Sequence, residues 1–200
     1  MSSPPLTRQS AEARERILRA AERLFAEKGY AATSVHDITE AAAVNKALLY
    51  YYFEDKHDLY VGLIDRGIGE FREMLDGALA SGGDFAARLR RIVGDDLELL
   101  WRRGDLLRMV HRCLMSGEQE EVGLVEKFQT SLQPLEEFFA AATAAGEFRA
   151  VDPTMAARSL LGLNVMFAFC RIYQDQHLAQ EEVAAHVTDL LLRGLTASAP

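Results

Sequence analysis

Residues 29–60 read GYAATSVHDITEAAAVNKALLYYYFEDKHDLY, and the spacing inside this stretch decides the fold. Ser34 followed three residues later by Asp37 is a capping-box pattern at a helix start. Val35, Ile38, Ala41 and Ala42 then fall on one apolar face. Asn45 is a good N-cap for a second short helix. Helices are therefore expected over 34–42 and 46–53, with a three-residue turn between them. Alanines 41–43 let the two approach closely. This is the logic of a helix-turn-helix, in which the first helix buttresses and the second offers its N-terminal residues to a DNA major groove. Val44, Leu49 and Phe53 are expected to anchor the unit. Lys46, Ala47, Leu48, Tyr50 and Tyr51 are then less needed by the core.

Working outward, a first helix is expected from Ser10 to Lys28, with Ile17, Leu18, Ala21, Leu24 and Phe25 on its inner face. Gly29 follows as its C-cap. Asp55 caps a fourth helix, with Asp58 in its first turn, ending near Ser81-Gly82-Gly83. Further helices are expected at 84–102, 105–117, 119–145, 153–174 and 180–195, the fourth of these opened by Asp152-Pro153. No β pattern and no internal repeat interrupts the series. The expected fold is all-α with about nine helices: a three-helix N-terminal domain over 1–56 and a larger helical domain over 57–200.

The net charge is −8, which by itself argues against a phosphate-binding protein. The charge is unevenly spread. Residues 1–60 carry eight Lys or Arg against nine Asp or Glu, and residues 61–200 carry 14 against 21. Contacts to DNA must then come from a few placed cations and helix N-termini. Cys113 and Cys170 have no ligand spacing and are expected to be reduced, buried thiols. The start, MSSPPLTRQS, lacks the apolar core of a signal peptide. The stretch Leu160–Tyr173 reads as too short to span a bilayer. A cytoplasmic location is expected.

The order of motifs resembles the TetR family of regulators. The elements are an apolar helix ending in Lys-Gly-Tyr, then T-S-V-x-D-I, A-A-x-V, L-Y-Y-Y-F and D-K-x-x-L. The resemblance implies that Lys46, Ala47 and Leu48 open the recognition helix and face base edges. It also implies phosphate contacts from Thr33, Ser34, Tyr50, Tyr51, Tyr52 and Lys56, and a reach to DNA from His36. Three positions depart from the family's habit. Ala43 stands where Gly is usual, so the turn is expected to be either slightly re-formed or strained. Asn45 replaces Ser or Thr at the cap next to the reading face. Tyr52 stands where His is frequent. Three consecutive tyrosines cannot all face one way, and Tyr50 is expected to be the part-buried one.

Beyond residue 84 large apolar side chains recur at the spacing that a helical core requires. The resemblance implies in addition an apolar cavity with a few polar anchors. A small, largely apolar effector is expected there, touched by some of Trp101, Met109, Cys113, Phe128, Phe139, Asn164, Phe167 and Cys170. The last two helices carry a broad apolar face from Leu160 to Phe169 and from Val183 to Leu195. Ala157, Gly162, Ala168 and Ala184 permit close helix approach. The resemblance implies that this pair meets a twofold mate as a four-helix bundle.

No HExxH, nucleophile elbow, P-loop or GxGxxG is present among the 200 residues, and the five histidines form no metal-ligand spacing. No enzymatic activity, cofactor or metal is expected. The expected function is that of a homodimeric DNA-binding regulator, a repressor released from a palindromic operator by its effector. The alternative is a helix-turn-helix protein whose large domain binds a protein partner instead.

Overall fold

The computed structural model describes residues 8–117, 123–174 and 178–195. Within them nine helices follow one another: α1 Arg8–Lys28, α2 Val35–Ala41, α3 Lys46–Tyr52, α4 Lys56–Leu79, α5 Phe85–Arg102, α6 Gly104–Ser116, α7 Leu124–Ala144, α8 Pro153–Gln174 and α9 Gln180–Leu195. These agree with the expected helices to within a few residues, apart from the expected start at 119, because residues 118–122 lie outside the described residues.

The chain divides into two compact units. The first comprises residues up to Gly67 together with 105–124. It therefore extends past residue 56 and takes in α6, which a boundary at 56/57 assigns to the larger domain. Its core is built on α1, where Ile17, Ala21 and Phe25 are fully buried against Ile38 of α2 and Leu49 of α3. The second unit holds residues 68–104 and 125–200. Here α5 packs on both α8 and α9, and Phe85 at its start meets Phe138 and Phe148, which in turn pack on Phe139.

Helix α8 is 22 residues long and, by length and composition, apolar enough to cross a membrane. The expectation from Leu160–Tyr173 alone is corrected on this point, because the Asp152-Pro153 start adds two turns. The helix has a place in the second unit's core through Ala157, Leu160, Leu161, Asn164 and Ala168.

One polar group stands out in that core. Leu89, Ile92, Val93, Asp96 and Leu97 of α5 share the buried stripe, so a carboxyl sits among aliphatic neighbours. Burial pushes the Asp96 carboxyl up from 3.8 to about 7, opposed by a hydrogen bond from Asn164. The unfolded chain loses this proton near pH 3.8, whereas the folded chain keeps it to about pH 7. Stability therefore falls as pH rises across that window, by an amount on the order of 4 kcal/mol, and the loss is complete above it. Asp96→Asn keeps the shape and removes the ionisation. The variant is expected to gain stability over the wild type at pH 8, with the difference closing by pH 4, as read by urea unfolding across the pH range. A constant difference would show that Asp96 does not carry the pH dependence.

Candidate nucleic-acid interface

The geometry of α2 and α3 follows from their caps. Ser34 has an extended backbone, and its Oγ accepts from the Asp37 amide at 3.1 Å, while the Ser34 amide donates to Asp37 Oδ2 at 2.8 Å. The Ser34 hydrogen bonds, with the charge of Lys28 adding to them, hold the Asp37 carboxyl below its ordinary value. At the other end of α2, the Val44 amide reaches back to Thr39 O and the Ala43 amide to Glu40 O. This paired closure needs a left-handed residue at its centre, usually Gly. The residue is Ala43, with φ of +51°, so the turn keeps its geometry at the cost of backbone strain on an L side chain. Asn45 then caps α3, its Oδ1 accepting from the Leu48 amide at 2.8 Å.

The cap sets which residues of α3 point out. Leu49 is fully buried, and Phe53 just after the helix is buried too. Lys46, Ala47, Tyr50 and Tyr51 are exposed. These four lie three or four residues apart and make one outward face. Leu48 is half-buried and His36 of α2 is exposed. The part-buried tyrosine is Tyr52 and not Tyr50, which is 52% exposed. The Tyr52 hydroxyl donates to Ser10 O at 2.8 Å, so the phenol at this position is tied to α1.

Two other expected phosphate contacts are occupied in holding the unit together. Thr33 is buried, and its hydroxyl donates to Gly29 O at 2.8 Å and is also within reach of Leu24 O. It closes the C-terminal end of α1. Lys56 sends its ammonium to Tyr30 O at 2.8 Å and Thr33 O at 2.9 Å, over the Tyr30 ring. Ser34 and Asn45 remain exposed, with their side chains engaged as caps. Sequence reading missed three positioning residues. Arg16 donates to Ala42 O at the end of α2, Arg14 lies over Phe53, and Tyr30 packs on Phe25 and Tyr60. No local motif marks the two arginines, since Arg16 and Ala42 are 26 residues apart, and the Lys-Gly-Tyr motif gives Tyr30 a place without saying what it packs on.

The residues expected at an effector are divided between the units. Met109 and Cys113 are buried on α6 in the first. In the second, Phe139 lies in the aromatic core, Phe128 is 43% exposed, and Trp101 carries the Arg171 guanidinium at 5.2 Å. Phe167 and Cys170 are half-buried on α8, and Asn164 of the same helix is fully buried. Cys113 and Cys170 are both thiols. Among the described residues no cluster of His, Cys, Asp and Glu could hold a metal ion.

Residues 17–63, which include this capped pair of helices, match the family model described as bacterial regulatory proteins, tetR family. Residues 82–195, more than half of the chain, match the tetracyclin repressor-like C-terminal domain. The chain belongs to the TetR family. Among TetR relatives, the HTH-type transcriptional regulator AcrR of Shigella flexneri is 34% identical over 134 residues, covering 63% of this chain and 60% of AcrR. The HTH-type transcriptional repressor KstR2 of Rhodococcus jostii is 34% identical over 106 residues, half of each chain. The chain thus spans only half to three-fifths of these curated relatives. The solved structure of AibR, in complex with isovaleryl coenzyme A and operator DNA, superposes with a TM-score of 0.72 at 26% identity. That match covers 90% of this chain and 98% of AibR.

The strain at Ala43 is testable. Ala43→Gly removes the left-handed penalty and adds unfolded-chain entropy, for a net gain of about 0.5–1 kcal/mol. The melting temperature is expected to rise by about 2 °C, measured by calorimetry. A fall would show that the turn is not held at positive φ in solution.

Proposed function

We propose that the chain is a DNA-binding transcriptional repressor that acts as a twofold dimer in the cytoplasm and is released from a palindromic operator by a small, largely apolar effector. The observation that carries the DNA-binding reading is the outward face of α3, with Lys46, Ala47, Tyr50 and Tyr51 exposed beside a buried Leu49. On this reading Lys46, Ala47 and Leu48 meet base edges. The hydroxyls of Tyr50 and Tyr51, with His36, Ser34 and Asn45 beside them, meet the sugar-phosphate backbone. Thr33, Tyr52 and Lys56 act one step back, by fixing the angle between the helices. The names of AcrR and KstR2 as regulator and repressor, and the operator DNA and acyl-CoA bound to AibR, support a DNA-binding regulator that responds to a bound ligand.

Dimerisation has support from α8. Met155, Ser159, Gly162, Met166 and Tyr173 form a single stripe at helical spacing, and all five are exposed. Leu190 of α9 is 51% exposed as well. Ala157 and Ala168 are buried in the chain's own core, whereas a Cβ built on Gly162 meets nothing within 4 Å. Gly162 is thus not needed for packing within the chain and is suited to close approach by a second α8. A dimer makes two half-site contacts, and an effector that binds better to the wrong half-site spacing lowers DNA affinity by its preference between the two states.

In fluorescence anisotropy with the chain's own promoter DNA, Lys46→Ala and Tyr51→Ala are each expected to weaken binding by about 1–2 kcal/mol. If both bind like the wild type, α3 is not the reading helix. Met166→Asp places a charge in the stripe and is expected to sediment as a monomer with operator affinity lost at the same concentration. A Met166→Asp protein that remains dimeric would move the interface elsewhere.

A further inference from the structure

The polar group in the second unit's core is more than an isolated carboxyl. Asn164 is fully buried on α8, and its amide nitrogen donates to Asp96 Oδ2 at 2.8 Å and to Val93 O at 3.3 Å. Both N–H groups of the amide are used. Its Oδ1 is buried and has no hydrogen-bond partner among the described residues. Turning the amide over does not help. It would set Oδ1 against the Val93 carbonyl and the ionised Asp96 carboxylate, both acceptors, so the hydrogen-bond pattern itself fixes the orientation. A buried acceptor left unmade is a substantial cost in a folded core. Asp96 is 3% exposed and its second oxygen also accepts when ionised.

Once Asp96 is ionised, above about pH 7, the pair is rich in acceptors and has no donor to spare. Its surroundings are apolar. Ile92, Val93, Leu97 and Leu99 flank Asp96 on α5, and Leu160, Leu161 and Ala168 lie one turn from Asn164 on α8, all buried. Half-buried Phe167 is also one turn from Asn164. Such a place matches one kind of molecule: an apolar body that carries an N–H or O–H at its buried end. A carboxylate or ester end would bring acceptors against acceptors.

We propose that Asp96 and Asn164 form the polar anchor of the effector site, and that the effector enters it with a hydrogen-bond donor, a hydroxyl or an ammonium on an apolar frame. This assignment rests on the effector reading above and narrows it. Asp96 becomes a ligand-binding residue that the family match does not point to. Ligand binding supplies the donor that Oδ1 lacks, and an ammonium also supplies a counter-charge to the carboxylate.

Three probes of equal tail length separate the chemistries: 1-octanol, octylamine and methyl octyl ether, which accepts but cannot donate. Binding to the full-length protein is measured by titration calorimetry at pH 8, where Asp96 is ionised. Both donors are expected to bind about ten-fold or more tightly than the ether. In Asp96→Asn the new amide can itself donate to Asn164 Oδ1, and the preference is expected to shrink to within about two-fold for the same reason. Equal binding of all three probes to the wild type, binding of none, or an undiminished preference in Asp96→Asn would each overturn the anchor. The outcomes are distinct from failure of the regulator reading. If all three probes bind alike and still lower operator affinity, the effector reading stands and the anchor falls. A protein that ignores operator DNA yet ranks the probes as expected would keep the anchor and lose the regulator.

Discussion

The outward face of α3 depends on how the chain turns between Ala42 and Asn45. Four residues must end one helix, change direction and start another, with almost no room for adjustment. A left-handed residue at 43 makes the paired closure on Thr39 and Glu40 possible, and Asn45 starts the next helix at once by accepting from Leu48. If Asn45 were one residue later, α3 would rotate by about 100°, burying Lys46 or Tyr50 in place of Leu49. The supporting contacts all protect this arrangement. Arg16 bonds the Ala42 carbonyl, Lys56 bonds the carbonyls of Tyr30 and Thr33, and Thr33 closes α1. These residues touch no ligand on the proposed reading, yet the reading face has its orientation because of them.

The two units solve opposite problems. In the first, polar side chains lie at helix ends and satisfy backbone groups that would otherwise be orphaned. In the second, a carboxyl and an amide are taken into an apolar core and, once the carboxyl ionises, left one donor short. A sequence selected only for stability would replace Asp96 with Leu or Ala, since an ionisable group there works against the fold at neutral pH. Unsatisfied buried groups of this kind mark sites where function is set against stability.

Most of the fold was legible because the deciding signals are local. Capping boxes, C-cap glycines and apolar periodicity act over three or four residues, and helix boundaries follow from them. The outward character of Lys46, Ala47 and Tyr51 was legible for the same reason. The roles of Thr33 and Lys56 were not, since their partners are backbone carbonyls in other elements and carbonyls leave no trace in the residue pattern. Tyr52 was misjudged against Tyr50 because the choice between them is made by Ser10, 42 residues away. The burial of Asp96 was readable in principle: it continues the Leu89, Ile92, Val93 stripe of α5 at helical spacing, where a carboxylate is out of place. Periodicity that counts only apolar residues passes over such a position.

The outward face of α3 carries one ammonium, that of Lys46, and the chain beyond residue 60 is strongly acidic. A surface so sparsely charged displaces few condensed counterions, and the acidic bulk is repelled by the polyanion at long range. On the proposed function such a molecule would linger little on random sequence, and its copies would spend the time between visits to a matching site off the DNA, open to a small-molecule effector.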